Sequence, residues 1–198
     1  MAYSDFTLRK ACTDFSLTIN GVVDLFADVE AITPSEHLAL TLRENIPVAI
    51  AVNTEKAKSE MIIAPVLFEV RRQLQYQIAL FSGVDFTVNP ELGLNGLCDF
   101  ILSQSPGQYL IGKPVVAIVE AKNDNIGAGL GQCAAEMVAA QMFNERESNE
   151  AKAVYGAVTT GEVWRFLKLE GVTLFIAPSA RYINQIDVVL GILVSLCL

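Results

Sequence analysis

Two charged residues stand where charge is expensive. Glu120 and Lys122 follow an apolar run, Val115 to Val119, that opens behind Pro114. A short β-branched run without polar alternation reads as a strand buried on both faces, and proline suits its first position. Side chains alternate across a strand, so Glu120 and Lys122 point the same way from its end. Charge at such a place is costly unless it is paired or holds a metal. Asp99 is a second oddity, a poor strand former with apolar neighbours on each side in Leu97–Leu102. Glu60 is a third. It falls on the apolar stripe Ile63, Leu67, Val70 and Leu74 of an expected helix. At 100° per residue it is about 60° from Ile63 and about 20° from Leu67.

Brought together, Glu60, Asp99, Glu120 and Lys122 would form a partly buried, net negative site that needs a cation. Hard oxygen ligands with room left for water and a phosphate suit magnesium or manganese. Such an ion polarises a phosphodiester and lowers the pKa of a bound water. Lys122 would orient or deprotonate that water and support the developing charge. Other hydrolytic chemistry is poorly served. The lone histidine, His37, lies far upstream with no nucleophile motif beside it. The cysteines (Cys12, Cys98, Cys133 and Cys197) have no zinc-site spacing and read as reduced, buried thiols.

The elements that must position these groups follow from the pattern. A helix from Glu55 through Leu74, capped by Asn53 or Thr54, is kinked or split by Pro65 and leaves Glu69 on the opposite, solvated face. Val84–Val88 alternates like a half-exposed strand. Asn95-Gly96 is a tight-turn signal leading into the strand that carries Asp99. Residues 103–113 form a loop that joins this strand to the next as a hairpin. After the loop 123–127, a helix runs from Gly129 to about Arg146, with Gln132 and Glu136 one turn apart. Its small residues, Gly129, Gly131, Ala134 and Ala135, let it lie close to the sheet. Strands follow at Val154–Val158, Val163–Leu169 and Val172–Ile176, then a helix from Ile183 to about Leu196. Residues 1–53 read as a helical N-terminal extension packed on the core, with helices at Gly21–Ala31 and Ser35–Asn45. The expected class is α/β (α+β), a mixed central sheet flanked by helices, with the core in residues 54–198.

This constellation resembles the PD-(D/E)XK nuclease superfamily, the restriction-endonuclease-like fold. Asp99 matches the lone acid of that family's motif, Glu120 its (D/E) position and Lys122 its lysine. The frequent helical acid matches Glu60, in Glu60-Met61-Ile62-Ile63-Ala64-Pro65-Val66-Leu67. The glutamine seen on the following helix in several members matches Gln132, in Gly131-Gln132-Cys133-Ala134-Ala135-Glu136. The first motif departs from the pattern, reading Cys98-Asp99 without the proline. The likeness covers about residues 54–170. It implies a metal-dependent endonuclease acting on DNA, with Asp99, Glu120 and Glu60 as ligands to Mg2+ or Mn2+. Catalysis would then involve Asp99, Glu120, Lys122, Glu60 and Gln132.

Composition limits the alternatives. With 52% hydrophobic and 18% charged residues in 198, the chain suits one packed domain rather than a disordered one. The net charge of -8 argues against a broadly basic, nucleic-acid-coating surface. Arg71, Arg72, Lys56, Lys58 and Arg146 offer a local basic track, although ordinary solvated faces explain them as well. The apolar tail from Val188 is too short to span a bilayer, and a cytoplasmic location is expected. Fold does not fix function. A catalytically silent protein of the same fold, binding nucleic acid or a partner protein, is the second expectation. A purely structural cluster, with Lys122 neutralising Glu120 and Asp99, is the third. The last helix reads as core. A homodimer would supply the two sites that cutting both strands of a duplex requires.

Overall fold

The apolar run behind Pro114 lies in the middle of the sheet. The computed structural model describes residues 1–112, 114–146 and 153–198, so Lys113, at the end of the expected 103–113 loop, lies outside the described residues. In chain order the elements are α1 (Leu8–Asp14), β1 (Thr18–Asn20), α2 (Glu36–Val52), α3 (Glu55–Lys58) and α4 (Ala64–Gln73). Then come β2 (Ala79–Asp85), β3 (Leu97–Ser103), β4 (Val115–Ala121), α5 (Ile126–Glu145) and β5 (Val154–Thr159). The chain closes with β6 (Val163–Glu170), β7 (Thr173–Ile176), β8 (Arg181–Tyr182) and α6 (Ile186–Ser195).

One eight-stranded sheet runs β1-β7-β6-β5-β4-β3-β2, with β8 beside β6. β2, β3 and β4 form an antiparallel meander, so the expected hairpin between the Asp99 and Glu120 strands is present. β4 and β5 are parallel, and β5, β6 and β7 are antiparallel. On one face, residues of α2, α4 and α6 pack against Phe100, Ala117 and Val119. On the other, α5 and the N-terminal segment pack against Ile101, Ile118 and Val158. The fold is therefore α/β, a mixed sheet flanked by helices. Every residue of β4 is buried, as a strand covered on both faces requires.

The helical segment after Thr54 shows how the chain handles Pro65. Thr54 is the N-cap, its hydroxyl accepting from the Ala57 N–H at 3.1 Å. Proline has no N–H to give the carbonyl of Met61, four residues before it. The helix does not break. Ser59–Ile63 widens into a π turn, and the Asn45 side-chain amide donates to the Met61 carbonyl at 2.9 Å. The wide turn also shifts the helical phase, so spacings read across it at 100° per residue fail.

Residues 1–53 differ from expectation in two places. Ser35 caps α2 as predicted, but the helix continues to Val52 instead of stopping at Asn45. Gly21–Ala31 is not a helix; it is irregular, with a turn at 25–28. There, Asn20 accepts from the Val22 N–H and Asp24 from the Phe26 N–H, local bonds that compete with helix formation. Arg181 holds Asp24 at 2.9 Å, and Phe26 enters the core. The segment also gives β1 to the sheet, paired in parallel with β7. Gly131 faces this segment and not the sheet: a Cβ there would lie 2.2 Å from the Thr7 carbonyl carbon.

The remaining boundaries shift modestly. β2 spans Ala79–Asp85, not Val84–Val88, and Phe86 and Val88 instead donate to the carbonyls of Gly96 and Leu94 in the turn. α5 starts at Ile126, capped by Asn125. α6 is core, burying Val189, Leu190, Ile192 and Leu193. Among the described residues, no helix is long and apolar enough to cross a membrane.

Candidate active site

At the end of β4, the Lys122 ammonium donates to Oε1 of Glu120. It also donates to Oε1 of Gln132 at 3.3 Å, and the Gln132 amide donates to Oε1 of Glu136 at 3.1 Å. The result is a chain of side chains, Glu120–Lys122–Gln132–Glu136, between the last strand positions of β4 and two turns of α5. A glycine allows the close approach: a Cβ on Gly129 would lie 2.6 Å from Val158 Cγ1 and 3.0 Å from Lys122 Cγ. Glu120 is 1% exposed and Glu136 fully buried, yet among the described residues Oε2 of each lacks a hydrogen-bond partner. A buried carboxylate oxygen without a partner is costly, and few native groups are left so.

The electrostatics follow from this. Burial, then the neighbouring charge of Asp99, pushes the Glu120 carboxyl up to about 8 despite the opposing pull of Lys122. Burial raises Glu136 well above the usual carboxylate range, with the Glu120 charge adding to it. For Lys122, burial is the largest influence and acts downward. Glu120, by charge and hydrogen bond, with Glu55 and Asp99, outweighs it, and the ammonium is held above its ordinary value.

Asp99 completes the strand ends. The β3–β4 register pairs Phe100 with Val119, so Asp99 falls one step on, beside Glu120. Its Oδ2 accepts from the Ala121 N–H at 2.8 Å. Asp99 and Ala121 border a cleft of about 260 Å3, whose other walls include Glu55, Ser59, Glu60 and Ser82. Lys58, buried in α3, donates to the Asn123 carbonyl at 2.9 Å and lies 3.5 Å from Asp124. It ties the loop after Lys122 to the helix on the other side of the cleft.

The predicted residues are thus gathered unequally. Glu120, Lys122 and Gln132 are in direct contact, and Asp99 is adjacent. Glu60 borders the cleft but is not on the core-facing stripe: its side chain is 61% exposed and pairs with Lys56 at 2.6 Å. Glu69, expected on a solvated face, is buried instead, accepting from the Ser35 N–H and hydroxyl and from Gln73. The exposure of Glu60 follows from the π turn in which it sits, and the burial of Glu69 from the Ser35 segment lying over α4. The basic track does not assemble either. Arg71 donates to the Ile78 carbonyl and Arg146 to that of Val88, while Lys58 is buried. From sequence, Glu136 lies one turn from Gln132 and Lys58 in the basic track, but neither has a place in the expected site. A signal for Glu136 existed, since it is the one charge in the run Cys133 to Ala140.

Magnesium or manganese would take hard oxygen ligands, and the donors at the strand ends have that chemistry. The unpartnered Oε2 of Glu120 and the cleft-facing Asp99 fit the role of ligands. A cation there would also favour the ionised form of Glu120. Among the described residues, however, no three His, Cys, Asp or Glu side chains form a group that could hold a metal ion. Asp99 and Glu120 are a pair, with Glu60 outside it. No family model, no curated protein and no solved structure matches this chain.

Proposed function

We propose that this protein is a metal-dependent endonuclease that hydrolyses DNA phosphodiester bonds at the ends of β3 and β4. The observation that carries the reading is the buried Glu120–Lys122 pair beside Asp99, with Glu120 Oε2 lacking a hydrogen-bond partner among the described residues and Asp99 bordering an open acidic cleft. Asp99 and Glu120 would hold Mg2+ or Mn2+, which, when bound, supplies a water of lowered pKa and a polarised phosphoryl oxygen. Lys122 lies where its ammonium can orient the attacking water and stabilise charge developing on the phosphate oxygens. Gln132 fixes the direction of that ammonium, and Glu136 fixes Gln132. Glu60, on the cleft wall, would join only by leaving Lys56. Cutting both strands of a duplex takes two such sites, which a homodimer would supply.

A second reading is a catalytically silent protein of this fold that binds nucleic acid or a protein partner. One observation favours it: Glu60 is engaged by Lys56, leaving two acids where the resemblance expects three. Cleavage of supercoiled plasmid and of single strands, with magnesium or manganese, separates the two. The nuclease reading expects metal-dependent nicking that Lys122→Ala and Asp99→Ala each abolish. Absence of nicking in the unaltered protein across both metals would leave the silent reading.

A further inference from the structure

A second cavity, of about 370 Å3, opens on the other side of Glu60. Its walls include Leu38, Pro65, Phe68 and Arg72, with His37. Glu60 borders both this pocket and the acidic cleft, so the two share one side-chain wall. We propose that the pocket seats one unpaired nucleobase, making the substrate of the neighbouring site a single strand or an unpaired end. This rests on the nuclease reading for what happens in the cleft.

Three features select that occupant. Phe68 is 60% exposed and lines the pocket, so its ring is open to a stacking partner there. Stacking on such a ring accepts any base, because every base has a π-face. The volume is near the lower end of small-ligand pockets, which suits one base with its sugar and not a base pair. The rim carries two cations that a phosphate would share with acids already beside them, Arg72 with Glu69 at 3.9 Å and Lys56 with Glu60 at 2.6 Å. The side chains of Arg72 and Lys56 are 45% and 81% exposed, one beside the pocket and one beside the cleft. Glu69 at the pocket wall does not oppose this, since Ser35, Gln73 and Arg72 already surround its carboxylate. A strand whose phosphodiester lies in the cleft would then have a neighbouring base within reach of Phe68.

The test is fluorescence anisotropy with a labelled twelve-nucleotide oligothymidylate and with a blunt duplex of the same length, in EDTA so that binding is read without cleavage. The unaltered protein, Phe68→Ala and Phe68→Trp are compared, each checked for an unchanged melting temperature. Tighter binding of the single strand is expected, falling roughly 5- to 150-fold in Phe68→Ala, the worth of one stacked base. Phe68→Trp should retain it. Equal affinity for strand and duplex, no binding of either, or an undiminished Phe68→Ala overturns the pocket. The parent reading fails separately: Phe68-dependent binding without cleavage overturns the nuclease alone, and cleavage with Phe68-independent binding overturns the pocket alone.

Discussion

Glu69 and Glu120 expose equally little surface, 2% and 1%, and their carboxyls behave in opposite ways. Glu69 sits just under the surface at a pocket wall, Glu120 deep in the core. For Glu69, burial acts upward and is the largest influence. Hydrogen bonds from Ser35 and Gln73, with Arg72 nearby, outweigh it, and the carboxyl is held below its usual range. For Glu120, burial and Asp99 prevail and the carboxyl rises to about 8. The difference lies in depth and in completeness of partners. Both oxygens of Glu69 are used to fasten the start of α2 to α4, whereas Oε2 of Glu120 has no hydrogen-bond partner among the described residues. Burial of a carboxylate therefore does not by itself mark a site. An unfilled oxygen at the end of a central strand, beside a second acid, is the feature on which the proposed metal site rests.

The largest effect expected from this contrast is on stability. Glu69→Ala strips the Ser35 N–H, its hydroxyl and the Gln73 amide of their acceptor and should cost about 3 kcal/mol in urea denaturation. Glu120→Gln keeps the shape of the protonated acid and should cost less than about 1 kcal/mol. Equal losses would erase the distinction between the two residues.

Sequence reasoning saw one side of this contrast and inverted the other. Glu120 was legible because five apolar residues precede it on a strand, and strand alternation is insensitive to distant context. The Asp99 strand, the hairpin to β4, the Ser35 cap and the order of later elements were legible for similar local reasons. Glu60 was misplaced because its face was read for a regular helix and the π turn before Pro65 breaks that period. Glu69, in the regular α4, was misplaced because the remote Ser35 segment covers its face. No single-residue pattern announces such a turn; its support, Asn45 on the Met61 carbonyl, comes from another helix. The lost helix at Gly21–Ala31 has a different cause. Asn20 and Asp24 spend their side chains on nearby backbone N–H groups, and the long-range partner of Asp24, Arg181, is remote in sequence.

A smaller effect appears against pH. Glu120 and Glu136 hold protons in the folded state that the unfolded chain releases near pH 4.5. Their contribution is complete below that value and is lost as pH rises, for Glu120 through about 8. Glu69 has the opposite sign, stabilising above its unfolded value and losing that on acidification. In EDTA, stability should therefore fall from about pH 5 toward pH 8, by at most about 1.4 kcal/mol per pH unit for each group. Glu136→Gln should flatten the fall, and Glu69→Gln should leave it in place. A profile that rises over this interval, or that Glu136→Gln leaves unchanged, would remove the account of the unpartnered acids.

The most direct measurement is manganese binding, followed by electron paramagnetic resonance, in the unaltered protein, Asp99→Ala, Glu120→Gln and Glu69→Gln. The account predicts bound Mn2+ that is lost in Asp99→Ala and Glu120→Gln and retained in Glu69→Gln. No bound ion in the unaltered protein, or binding indifferent to Asp99 and Glu120, would contradict it.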